Sequence, residues 1–101
     1  MRGQLTEELK EDLRIKRSLR DREITLTELR LYPYLLYLAM NNGKIERGKI
    51  TPEEMRVIKD YVDKGWLKIE PRVKPNEFLW DLMNYVVYKA YVIYDEKEVR
   101  K

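Results

Sequence analysis

Residues 51–82 read TPEEMRVIKDYVDKGWLKIEPRVKPNEFLWDL, and this one run passes from helix to hairpin to helix. Thr51 stands as an N-cap, Pro52 takes the first helical position, and Glu54 follows the threonine at the spacing of a capping box. Met55, Ile58, Tyr61 and Val62 then mark one face, and Gly65 supplies the stop. From Trp66 the period shortens. Leu67 and Ile69 alternate with Lys68 and Glu70, as in a strand. Pro71 cannot donate to a ladder, so a small hairpin or edge strand through Val73 is expected. Asn76 then caps the final element.

That element, EFLWDLMNYVVYKAYVIYD (77–95), is apolar almost all round at helical spacing. Phe78, Leu82, Val86 and Ile93 lie near one face, and Trp80, Val87, Tyr91 and Tyr94 occupy much of another. Only Asp81, Asn84, Lys89 and Asp95 form a polar seam. Such a helix is covered on most sides. Either the rest of the chain wraps it, or Trp80, Val87, Tyr88, Tyr91 and Tyr94 form an interface with a second copy, and a homodimer is expected. The β-branched run from Val86 to Ile93 also suits a strand, and the pattern leaves both open.

Upstream, Thr25-Leu26-Thr27-Glu28 is a second capping box. The helix it opens meets Pro33, where a kink or a restart is expected. Leu35, Leu36, Leu38, Ala39 and Met40 read as core, and Asn41-Asn42-Gly43 ends the helix. A first helix is expected from about Leu5 or Glu7 to Leu19, with Thr6 as N-cap. Leu5, Leu9 and Leu13 would start its apolar stripe, and Asp12 and Lys16 would pair one turn apart.

The charge is unevenly placed. Residues 13–24 hold Arg14, Lys16, Arg17, Arg20 and Arg22 against Asp21 and Glu23, so they carry the net +3 of the entire chain. Acids first and bases last also suit a helix dipole, so the order of the charges needs no ligand. Their concentration in one segment points to a nucleic-acid contact formed by Arg14, Lys16, Arg17, Arg20 and Arg22. Lys68, Arg72 and Lys74 on the hairpin would add phosphate contacts, though alternation also places them on a solvated strand face.

Composition removes several chemistries. The 101 residues contain no Cys and no His, and Ser18 is the sole serine. Disulfides, thiolate nucleophiles, imidazole bases and hydrolase triads are therefore absent. No set of acids is spaced to hold a metal, so no enzyme, cofactor or metal is expected. Charged residues make up 39% against a usual share of about 25%, a bias seen in heat-adapted proteins. The start lacks the apolar run of a signal peptide, and no stretch is long enough to span a membrane. A cytoplasmic protein is the expectation.

The helix from Thr51 to Lys64 followed by KGWLKIEPRVK resembles the second half of a winged-helix DNA-binding domain, and LYPYLLYLAMNNGKI resembles its first helix. The resemblance spans residues 31–74. It departs from the family where a further short helix is due, since only IERGK stands there. The helix that would enter the groove carries Glu53, Glu54, Asp60 and Asp63 against Arg56, Lys59 and Lys64. The resemblance implies a small, dimeric DNA-binding protein of regulatory type; the alternative is a protein-interaction module built on the aromatic last helix.

The expected fold is mainly α, about four helices with one short β-hairpin before the last, in a degenerate winged-helix arrangement. It forms a single domain over residues 1–101. A basic N-terminal helix (1–24) precedes helices plus hairpin (25–75), the apolar helix (76–95) and a tail (96–101).

Overall fold

The computed structural model describes residues 6–93, so Tyr94 and the tail lie outside the described residues. The fold is mainly α, with a two-stranded antiparallel hairpin before the final helix. The helices are α1 (Glu7–Glu11), α2 (Leu13–Ser18), α3 (Leu26–Met40), α4 (Pro52–Asp63) and α5 (Glu77–Val87). The strands are β1 (Leu67–Lys68) and β2 (Lys74–Pro75).

The N-terminal segment is two short helices where one was expected, and Asp12 is the reason. Its carboxylate accepts the Ile15 N–H at 3.0 Å, which ends α1 and caps α2 at the same residue. The carboxylate also takes the Lys89 ammonium and the Tyr85 hydroxyl, the latter at 2.7 Å, so no pair forms with Lys16. The break rotates Leu13 off the apolar stripe, and it is 66% exposed while Leu9, Ile15 and Leu19 are buried.

α3 runs unbroken through Pro33, without the restart that proline suggested. Proline deprives the Leu29 carbonyl, four residues back, of its helical donor. The Tyr91 hydroxyl points to that carbonyl at 3.5 Å, so the final helix offers a partner to the group the proline orphaned. Beyond Met40, Asn42 adopts a left-handed φ of 54° and the Gly43 N–H returns to the Leu38 carbonyl at 2.8 Å. A Cβ on Gly43 would lie 2.7 Å from Leu38 Cδ2, so any larger residue in this turn would have to move the Leu38 side chain.

α4 has both bonds of its capping box: the Glu54 N–H donates to Thr51 Oγ at 3.1 Å, and the Thr51 N–H donates to Glu54 Oε1 at 2.8 Å. Gly65, at φ 77°, closes the helix, with the Trp66 N–H on the Tyr61 carbonyl at 2.9 Å. The hairpin is shorter than the alternation suggests, because Pro71 and Pro75 remove two donors from it. Leu67 stands opposite Pro75 and Lys68 opposite Lys74. The Val73 N–H bonds the Gly43 carbonyl at 2.9 Å and ties the hairpin to the end of α3.

Residues 86–93 are helical, not a strand: α5 continues into a π-helical segment, Tyr88–Ile93. The core gathers on α3, whose Leu29, Leu31, Leu35 and Leu36 pack with Ile58 and Tyr61 of α4 and with Leu79, Leu82, Met83 and Val86 of α5. At about 25 cal/mol per Å² of apolar area, each fully buried Leu or Ile contributes roughly 1.5–3 kcal/mol. Among the described residues no helix is long and apolar enough to cross a membrane.

Candidate nucleic-acid interface

The eight cations singled out from the sequence fall into two groups, set at opposite ends of α5. The hairpin packs against the start of that helix, and α2 packs near Tyr85 and Lys89 at its far end. From Asn76 to Tyr85 the helix spans about 14 Å at 1.5 Å per residue, so the groups do not merge into one local patch.

At the N-terminal end, two of the five cations are engaged within the protein. Arg22 forms a two-pronged pair with Glu28, Nη1 to Oε1 at 2.6 Å and Nη2 to Oε2 at 2.8 Å. Glu28 is 1% exposed and also accepts the Thr25 N–H, the Thr25 hydroxyl and the Tyr61 hydroxyl. Tyr61 spends its proton on Glu28, so the Tyr32 hydroxyl, 2.7 Å away, must donate to the Tyr61 oxygen. Burial pushes the Glu28 carboxyl's pKa up, but the bonds from Arg22, Tyr61 and Thr25 outweigh it and hold the group below its ordinary value. The hydrogen bond to Glu28 raises the Arg22 pKa in turn. Burial raises both tyrosine hydroxyls and keeps them neutral. This network is a satisfied structural joint between the 20–25 turn, α3 and α4.

Arg14 stacks on the Tyr85 ring at 4.3 Å. Beneath it burial raises the Asp12 pKa, but bonds from Lys89, Tyr85 and the Ile15 N–H outweigh this and leave the carboxyl below its ordinary value. Lys16 is half-buried, and Arg17 and Arg20 are exposed. Arg20 and Asp21 both adopt left-handed backbone, φ 59° and 65°, at the turn that ends α2. A side chain with a Cβ is disfavoured there, so the basic turn holds local strain.

At the hairpin end the cations are freer. Lys68 and Lys74 are exposed and directly opposed in register, with Cβ atoms about 5 Å apart by the geometry of such pairs. Neither has a carboxylate within ion-pair distance among the described residues. Arg72 donates to Asn42 Oδ1 at the end of α3, which leaves most of its guanidinium N–H groups unspent.

Each flank of the hairpin carries a half-buried tryptophan. Trp66 sits between Tyr61 and Phe78, with ring centroids 5.2 and 4.9 Å away, and Lys64 Nζ lies 4.9 Å from its ring. On the other flank a shallow cleft of about 290 Å³ lies between the end of α3, the return strand and Trp80. The structure thus joins Arg72 and Lys74 with Trp80, which the sequence suggested only as an interface residue. Its signal was present: Lys74 and Trp80 bracket the Pro75-Asn76 cap that folds strand onto helix.

The remaining interface residues differ in exposure, and Tyr94 lies outside the described residues. Val87 and Tyr91 are half-buried, and Tyr91 faces the Leu29 carbonyl; Tyr88 is 52% exposed. The outer side of α3 also presents apolar surface, with Tyr37 and Met40 61% and 66% exposed. Met40 thus lies outside the core in which the helical pattern places it, because it falls at the last turn of α3 facing away from α4 and α5.

On α4, Glu54 is held in the capping box and Asp60 pairs with Lys64 at 2.9 Å. Arg56 and Lys59 are exposed, with Glu53 and Asp63 toward the two ends. Among the described residues no three acids converge as a metal site would require. No family model, curated protein or solved structure matches this chain.

Proposed function

We propose that this is a small nucleic-acid-binding protein of winged-helix type, in which the hairpin rather than α4 holds the phosphate backbone. The opposed lysines 68 and 74, which have no ion-pair partner among the described residues, carry the reading. Like charges directly opposite destabilise a hairpin, so an arrangement that keeps them there favours an external anion that neutralises both. The order of α3, one 3-10 turn (Arg47–Lys49), α4, hairpin and α5 supports the type, with the turn standing where IERGK replaces a helix. The mixed charge on α4 makes it a poor reader of bases, so contact to phosphates, independent of sequence, is the expectation.

Binding of duplex DNA at increasing salt tests this. Three phosphate contacts from Lys68, Arg72 and Lys74 give a slope of log affinity against log salt of about −3. Lys68→Glu with Lys74→Glu is expected to weaken binding about a hundredfold, whereas reversing Arg17 and Arg20 costs less. Undiminished affinity in the hairpin variant would refute the proposal.

A second reading, self-association, rests on exposed Tyr37 and Met40, one helical turn apart on α3, and on Tyr88. Sedimentation equilibrium decides it: a dimer that Tyr37→Ser with Met40→Ser disperses supports the reading. A monomer at micromolar concentration removes it.

A further inference from the structure

The cleft beside the return strand has a chemistry that phosphate contact alone does not use. Val73 is buried at its base, Ala39 and Pro75 add apolar surface, and Trp80 forms one side. Arg72 and Lys74 are exposed at its edge. Unlike Trp66, Trp80 has no ring or cation stacked on it among the described residues. Its indole N–H has no acceptor among them either, and no buried side-chain donor is left without a partner, so that N–H reaches solvent. The cleft therefore offers one unstacked aromatic surface, a wet donor and two cations, within about 290 Å³. Pockets that enclose drug-sized ligands run to about 300–1,000 Å³, so there is room for one planar ring and little more.

We infer that this cleft takes a single unpaired nucleobase stacked on Trp80, with the adjoining phosphate on Arg72 and Lys74. The inference rests on the hairpin's being the phosphate contact and adds that the preferred ligand is single-stranded. A base within a duplex is stacked on both faces and cannot enter, whereas an unpaired base can do so without a loss of pairing.

The full chain carrying Trp66→Phe retains Trp80 as its one tryptophan, which makes its emission a local probe. Titration uses oligothymidylate of about twelve nucleotides, a duplex of the same length, and thymidine monophosphate. The expected result is strong quenching by the single strand, with tighter binding than to the duplex. Trp80→Ala should then lose roughly five- to a hundredfold in single-strand affinity and little on duplex, with Trp80→Phe recovering most of it. A circular dichroism melt of each variant identifies any that fails to fold, and Trp80→Phe keeps the test valid if the alanine variant does.

Duplex binding that depends on Lys68 and Lys74 while Trp80 emission stays unchanged would overturn this inference and leave the hairpin reading standing. No binding of either form at low salt overturns both. Quenching by the mononucleotide as strong as by the oligomer would make the cleft a small-ligand site and overturn the strand assignment.

Discussion

The N-terminal segment and the hairpin are both basic, yet their cations are in different physical situations. Arg22 is locked to a carboxylate that is almost wholly buried, and Arg14 lies on an aromatic ring. Lys68 and Lys74 oppose each other on an exposed two-stranded ribbon, with no carboxylate at ion-pair distance among the described residues. The segment that carries the chain's net charge thus spends part of it on holding itself to the core. The hairpin lysines lack any such partner among the described residues, which is why the proposed phosphate contact is placed there. Counting charges locates basic sequence; only partners locate available charge.

The largest expected effect breaks the first half of that contrast. Arg22→Ala leaves Glu28 buried with only Thr25 and Tyr61 as donors and is expected to cost about 3 kcal/mol in urea unfolding. A loss below about 1 kcal/mol would mean that the pair is dispensable and Arg22 is as free as the hairpin lysines.

Acid should reveal the same joint. Because Glu28 titrates below its ordinary 4.5 in the folded protein, its contribution is fully present above that pH. It fades as pH falls below 4.5 through the lower folded value. The melting temperature of the native chain should drop over that range, and Glu28→Gln should flatten its share of the dependence. An unchanged profile in that variant assigns the acid sensitivity elsewhere, Asp12 being the next group with a depressed pKa.

Smaller effects sharpen the comparison. Arg20→Gly relieves a left-handed backbone and should raise stability by about 0.5–1 kcal/mol, after the entropy that glycine adds to the unfolded chain. If nucleic-acid affinity falls together with that gain, Arg20 belongs to the contact surface. Lys74→Glu replaces a repulsive cross-strand pair by an attractive one and should stabilise the hairpin by about 0.2–1 kcal/mol in a thermal melt. The same change should weaken DNA binding. A stability gain without a binding loss would return the hairpin lysines to the status of ordinary solvated charge.

Much of the fold is visible in short sequence signals. Thr25 with Glu28, Thr51 with Pro52 and Glu54, Gly65, and Asn76 act on backbone groups within a few residues, so their effect survives any tertiary arrangement. The errors arise where a distant partner changes a local choice. Asp12 becomes a helix break bound to Tyr85 and Lys89, more than seventy residues away. Pro33 stays inside a helix while Tyr91 faces the carbonyl it orphans. The apolar circumference of α5 left open whether its own chain covers it, and folding buries Leu79, Leu82, Met83 and Val86 while Tyr88 stays exposed. The candidate site was half legible: Lys68, Arg72 and Lys74 were visible as cations, but their freedom and the nearness of Trp80 were not.

By itself the sequence determined the order of the elements, their caps and stops, and the lack of thiol and imidazole groups. Those follow from local hydrogen bonding, periodicity and composition. The tertiary structure alone decided which charges are spent and which remain. A side chain's availability depends on what folding brings within a few ångströms: Glu28 meets Arg22 and Tyr61, while Lys68 and Lys74 stand opposite each other with no carboxylate at ion-pair distance among the described residues.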